Sequence, residues 1–238
     1  EGNDFTVASG TLTQTQDTPS NVFATWSPLF GGNAQYATFS EGNLKLAGNN
    51  AANAGTNLNS TIGASSGKYY MESKALDIQG VGYPAVGVMM EDDVFVSLGQ
   101  VGGNPNSVSY RPGGTVLTNG GVTSTQDTYT DNDIIGIALD LDNGAVYFSK
   151  NGTYQNSGVP TSGASRTGSL YNFTPSSKVY FFAATVYDTT AIITANFGNG
   201  YFGTTAVASA GTNASGIGIF EYDVPTGYTA LSTKGLNL

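Results

Sequence analysis

The stretch from Asp133 to Tyr154 constrains the fold more than any other. Ile135, Ile137, Leu139 and Leu141 alternate with Ile134, Gly136, Ala138, Asp140 and Asp142, and Val146 and Phe148 return after Asn143-Gly144. A second Asn-Gly pair, Asn151-Gly152, reverses the chain again. A two-residue period is that of a strand with one face buried. Asn-Gly is the favoured pair of a type I′ turn, because both central residues need positive φ. The run therefore predicts a three-stranded antiparallel meander whose register is set twice, since a one-residue slip would turn every apolar side chain to the wrong face.

The rest of the chain extends the same pattern. Lys68 to Ile78 places Tyr69, Met71, Ser73 and Ala75 on one face and Lys68, Tyr70, Glu72 and Lys74 on the other, a half-buried strand. Tyr36–Ser40 and Asn43–Ala47 read as a hairpin about Glu41-Gly42, and Ala85–Met90 and Val94–Leu98 as apolar strands joined across Glu91-Asp92-Asp93. Three adjacent acids invite a hard cation, but side chains on a turn diverge, so a solvated turn is the expectation. Val179–Val186 is apolar but for Thr185, as for a strand covered on both faces, and Asp188-Thr189 turns it towards the alternating run Ala191–Phe197. Ile217–Tyr222 and Pro225–Leu231 close the chain. Residues 48–60, 101–131 and 156–177 read as loops rich in small polar residues, with short strands near Val108-Ser109-Tyr110 and Thr115-Val116-Leu117.

Composition explains why no helix competes. Gly, Thr, Ser and Asn fill 105 of 238 positions. Charged residues make only 11%, against roughly 25% in an ordinary globular protein. The absence of His and Cys removes imidazole bases, thiol nucleophiles, disulfides and the commonest zinc ligands, so neither a cofactor nor a metal site is expected. A net charge of −9 and a pI near 4.1 oppose binding to nucleic acid or an anionic membrane. No apolar run approaches the roughly 20 residues that span a bilayer. Because the chain begins on Glu1, it reads as processed or as part of something longer. Residues 1–34 form a polar N-terminal extension that needs Phe5, Val22, Phe23 and Trp26 to dock, either on the domain itself or as an assembly arm. Residues 35–238 form one domain.

Three stretches resemble the SPRY (B30.2-like) family: Ser66-Gly67-Lys68-Tyr69-Tyr70-Met71-Glu72, the run from Asp133 to Gly152, and Val179-Tyr180-Phe181-Phe182-Ala183-Ala184 with Ala195-Asn196-Phe197-Gly198. The resemblance implies an all-β fold, a two-sheet antiparallel β-sandwich of the concanavalin A-like jelly-roll type without substantial helices. The flanks from Asp17 to Pro28 and from Pro225 to Leu231 resemble those of SPRY-type domains in phage structural proteins. That implies a virion component, a tail fibre, head fibre or capsid decoration at the particle surface, homo-oligomeric and in contact with other virion proteins. SPRY domains bind rather than catalyse, and the implied binding loops carry Tyr83, Tyr110, Arg111, Arg166 and Tyr171. Arg111 and Arg166 are the only arginines among eight cations.

Three functions are compatible with these residues. The first is a virion module recognising a host-surface glycan or protein, for which Tyr, Ser, Asn and Gly loops are suited. The second is a capsid decoration or structural subunit packed against copies of itself. The third, a glycoside hydrolase, requires an open carboxylate pair, for which Glu72, Asp140 and Asp142 are the candidates.

Overall fold

A computed structural model describes residues 18, 20–29, 34–49, 55–78, 84–94 and 99–237. Its strands in chain order are β1 (Ala37–Ser40), β2 (Lys45–Gly48), β3 (Leu58–Asn59), β4 (Lys68–Asp77), β5 (Ala85–Met90), β6 (Ser107–Tyr110), β7 (Thr115–Thr118) and β8 (Gly121–Thr125). They continue with β9 (Ile134–Asp140), β10 (Ala145–Lys150), β11 (Thr153–Tyr154), β12 (Tyr171–Asn172), β13 (Tyr180–Thr185), β14 (Ile192–Asn196), β15 (Tyr201–Phe202), β16 (Thr205–Ala206) and β17 (Thr229–Ala230). Nine strands form one sheet, ordered β1-β2-β14-β4-β9-β10-β11, with β12 on β10 and β17 on β4; six form the second, ordered β3-β13-β5-β6-β7-β8. The expected antiparallel sandwich is what the chain adopts, and within these two sheets only the β17–β4 pairing is parallel.

The inner face of the nine-stranded sheet follows the alternation. Met71, Ile137 and Phe148 lie abreast on β4, β9 and β10 and are all buried. Phe148 meets Tyr110 of the opposite sheet at 5.7 Å between ring centres, and Phe197 meets Phe182 at 6.3 Å. The meander turns once as expected and once otherwise. Asn151 and Gly152 both have positive φ and join Lys150 to Thr153 as a two-residue turn. At the first turn only Gly144 has positive φ, and four residues separate Asp140 from Ala145. There Asn143 instead spends its side chain on Asp140, donating from Nδ2 at 2.8 Å.

Several expectations need correction. Lys68–Ile78 is not half-buried, because Tyr70 and Glu72 on its second face are covered as fully as Met71 on its first. The hairpin after Ser40 has four loop residues rather than two, with Glu41, Gly42 and Asn43 all at positive φ. Glu91–Val94 is one helical turn, and residues 95–98 lie outside the described ones. The 101–131 stretch holds a third hairpin strand, β8, turned at Asn119-Gly120 with both residues at positive φ. Asp188, also at positive φ, carries the chain from one sheet to the other. Ile217–Tyr222 is no strand, because its backbone groups are shared among sheet side chains, the Gly198 and Gly211 backbone and the Asn213 and Ser215 side chains.

That covering follows from register. Asn196, Glu72, Gly136, Ser149 and Tyr154 lie abreast across five strands on the outer face. Glu72 accepts the N–H groups of Glu221 and Tyr222, both at 2.8 Å, and the Tyr70 hydroxyl at 3.2 Å. Asn196 Nδ2 donates to the Ile219 carbonyl at 2.9 Å, while its Oδ1 accepts from Gly198 and Gly200. Phe220 stands edge-on to Tyr70 at 5.0 Å. Burial pushes the Glu72 carboxyl up to about 7 against the opposing pull of those N–H groups and the Tyr70 hydroxyl, and the neighbouring Glu221 adds to the rise. Gly136 leaves room in this row for its neighbours, since a methyl group there would displace Ser149 Oγ and Tyr70 Oη.

The N-terminal segment belongs to the same core. Phe23 and Trp26 are buried, Trp26 stands edge-on to Phe197 at 5.0 Å, and Ala24 N–H donates to the Leu231 carbonyl at 3.0 Å. They are therefore not free to act as an assembly arm. Val22 alone of the described three is exposed, at 48%, and Phe5 lies outside the described residues.

Candidate functional site

The four described loop residues implied by resemblance, Tyr110, Arg111, Arg166 and Tyr171, do not form one site. Tyr110 is fully buried and donates its hydroxyl to the Asp127 carbonyl; burial, with Asp127 and Asp133 nearby, holds the phenol well above its ordinary range. A core tyrosine offers no contact surface, so that expectation is overturned. Arg111 closes the β6–β7 hairpin, its N–H donating to Thr115 at 3.1 Å and its carbonyl accepting from Gly114 at 2.9 Å. Arg166 takes a left-handed φ of 49° after the 3-10 helix Pro160–Ser165. Tyr171 donates to the Pro105 carbonyl at 3.1 Å and stacks on Phe173. Pro105 precedes β6 and Arg111 follows it, so the Tyr171 hydroxyl and Arg111 stand at opposite ends of that strand. Tyr83 lies outside the described residues.

The acids weighed for hydrolysis are likewise engaged. Glu72 is sealed under Glu221 and Tyr222, and Asp140, fully buried, pairs with Lys68 at 2.9 Å. Lys178 bridges Glu91 and Asp92 at 3.4 and 3.0 Å, and Asp93 accepts from Asn106 N–H, as a turn would use them. Among the described residues no group of three acids is placed to hold a metal, and no helix is long and apolar enough to cross a membrane.

A groove of about 380 Å³ opens where the start of β4 meets the C-terminal layer. Gly67, Lys68 and Tyr69 line one side with Asp142; Ser215 and the Gly227–Thr229 segment line the other. Register brings these together, because Lys68 lies directly opposite Asp140 and Tyr69 directly opposite Thr229. Lys68 Nζ stands 5.8 Å from the Tyr228 ring centre, and Tyr228 is itself fastened by donation to the Pro160 carbonyl at 3.1 Å. Asp142 Oδ1 accepts from Gly67 N–H at 2.7 Å. Burial first and Asp142 second raise the Tyr69 phenol above its ordinary range. Thr229 Oγ1 is buried without a hydrogen-bond partner. A second cavity, of about 290 Å³, lies between Phe23, Leu44 and Tyr201 and has Glu41 as its one charged wall residue, already accepting from Thr204 N–H.

The sequence offered Asp142 as a candidate hydrolytic carboxylate and Lys68 as a strand-face residue, but gave Ser215 and Thr229 no part in a site. The adjacent Asp140-Leu141-Asp142 and the Gly227-Tyr228 pair were visible, but nothing local links residues 67 and 227.

The SPRY domain model matches residues 68–198, more than half of the chain. The chain belongs to the SPRY family. The SPRY domain of human HERC1 is similar in structure, with a TM-score of 0.55 at 16% identity, covering 71% of this chain and 96% of that one. A second human SPRY domain has a TM-score of 0.49 at 17% identity, over 67% of this chain and 94% of that one. Among curated proteins no sequence matches it. SPRY domains are in general non-catalytic modules for protein interaction. The matched span contains Lys68, Tyr69 and Asp142 but not Ser215 or the Gly227–Thr229 segment, so this SPRY chain completes its groove with residues beyond the family core.

Proposed function

We propose that the protein is a non-enzymatic recognition module of a phage virion, a tail-fibre or head-fibre component at the particle surface that binds a host-surface glycan or protein. The observation that carries the binding part is the groove between β4 and the C-terminal layer, which combines a cation, a carboxylate and hydroxyls in a concave site. The virion part is supported by the resemblance of both flanks to those of phage structural proteins. One of them, Pro225–Leu231, supplies β17 and one wall of that groove. Adsorption of the purified, labelled protein to a panel of bacterial cells tests the reading. Saturable binding to some strains and not others is expected, and no binding to any strain sinks it.

One feature favours the alternative of a decoration subunit packed on its own copies and on other virion proteins. Strand β8 is an exposed sheet edge of sequence Gly-Val-Thr-Ser-Thr, without the charge or proline that usually blunts such an edge. Imaging of intact particles separates the two: a fixed number of copies sealed edge to edge on the shell supports decoration, and copies at fibre tips support adhesion.

A further inference from the structure

We infer that the groove beside Lys68 and Asp142 is a saccharide subsite that takes one uncharged hexose ring. This rests on the recognition reading and names its ligand class. Charge excludes anions first. Lys68 is neutralised by Asp140 at 2.9 Å, so Asp142 leaves the site net negative on a chain already at −9. A sialic acid or phosphate would meet that field unfavourably. A purely apolar ligand fails for the opposite reason, because it would strip water from Lys68 and Asp142 and return no hydrogen bond.

A sugar hydroxyl both donates and accepts, and so serves ammonium and carboxylate alike. The Lys68 ammonium has three N–H donors, of which Asp140 takes one. Asp142 gives Oδ1 to Gly67, and no hydrogen bond among the described residues engages Oδ2. The Ser215 hydroxyl, fixed by donation to Asn213 Oδ1 at 2.7 Å and by the Ile217 N–H at 3.1 Å, adds its remaining lone pair as an acceptor. Gly67, Ala214, Gly227 and Gly235 keep the walls low, so a ring can approach the backbone closely. The volume, about 380 Å³, sits at the small end of ligand sites, which run from about 300 to 1,000 Å³. That suits the terminal residue of a glycan rather than a long chain.

The test is an amide NMR titration of the intact 238-residue protein with methyl glucoside, methyl galactoside, N-acetylglucosamine and N-acetylneuraminic acid. At least one uncharged sugar is expected to move the Gly67, Lys68, Gly227 and Thr229 signals saturably, with a Kd on the order of 1 mM, and the anionic sugar to bind at least about tenfold more weakly. Ala214→Trp, an exposed position at the rim, is expected to weaken binding about tenfold or more without lowering the unfolding temperature. Asp142→Asn keeps an acceptor for Gly67 but removes the charge, and is expected to narrow the gap between neutral and anionic sugars. No shift at these amides with any uncharged sugar at about 50 mM overturns the inference, as does an Ala214→Trp protein that binds equally well. Cell adsorption by both proteins separates the two failures. If wild type and Ala214→Trp adsorb alike, recognition stands and the groove is not its site; if neither adsorbs although sugars titrate, the groove stands and host recognition falls.

Discussion

The nine-stranded sheet buries both faces, but the two are built from opposite chemistry. The inner face, with Met71, Ile137 and Phe148 abreast, is held by apolar contact with the six-stranded sheet. The outer face, with Asn196, Glu72 and Tyr154 in one row, is held by side chains that hydrogen-bond the backbone of the C-terminal layer. Apolar burial is non-directional and tolerates any partner of the right shape. A carboxylate aimed at two N–H groups specifies one segment in one position. The inner face therefore accounts for cohesion of the sandwich, and the outer face for the placement of residues 217–222 and, through them, of the layer that completes the groove.

Deleting part of the inner face tests the difference most severely. Phe148→Ala is expected to cost about 3–5 kcal/mol in urea unfolding and to raise amide exchange in both sheets together. Confinement of the loss to one sheet would break the assignment of cohesion to this face.

The next effect is one of pH. The Glu72 carboxyl is raised from its ordinary 4.5 to about 7 in the folded protein, so the unfolded chain releases its proton first as pH rises. Its contribution to stability is full below pH 4.5 and is lost as pH rises through 7, by about 3 kcal/mol. The titratable groups facing Glu72 are the phenols of Tyr70, Tyr154 and Tyr222 and one further carboxyl, that of Glu221. Glu72→Gln should flatten this part of the stability profile measured between pH 4.5 and 7.5. An unchanged profile would place the titration elsewhere. Asp133, held low by the Thr130 N–H, Asn151 and Lys150 against its own desolvation, acts in the opposite sense only below about pH 4.

Asn196→Ala is a smaller and more local perturbation. It removes the acceptor of the Gly198 and Gly200 N–H groups and the donor to Ile219, for an expected loss of about 2 kcal/mol. Exchange should accelerate in residues 198–222 while the Ile137 and Phe182 amides stay protected. Equal acceleration everywhere would show that the two faces are not separable. The smallest effect has the opposite sign. The Tyr154 hydroxyl is buried without a hydrogen-bond partner, so Tyr154→Phe is expected to stabilise by up to about 1 kcal/mol in thermal unfolding. A loss of that size instead would reveal a partner, such as a bound water.

Legibility in the sequence followed the same division. Ile135, Ile137, Leu139, Val146 and Phe148 announced the inner face because burial against a sheet imposes a period of two. The same rule puts Glu72 and Asp140 on the solvent side, because a period of two has no term for a third layer arriving from elsewhere in the chain. Tyr110, chosen for its place in a family loop, proved to be core because it lies on β6 facing Phe148. Asn119-Gly120 carries a hairpin signal as strong as Asn151-Gly152, but it sits within a stretch whose small polar composition is that of a loop.

The amino-acid sequence by itself determined the all-β class, the meander and its second turn, and the family, because these depend on residues close together along the chain. Tertiary structure decided which polar side chains are buried, where residues 217–222 lie, and that Lys68, Asp142 and Tyr228 share one groove. Those outcomes depend on pairings such as Tyr69 with Thr229 and Glu72 with Tyr222. Separations of that length leave no local pattern, since hydrogen-bond donors and acceptors are alike along the whole backbone and only the packed fold selects which of them meet.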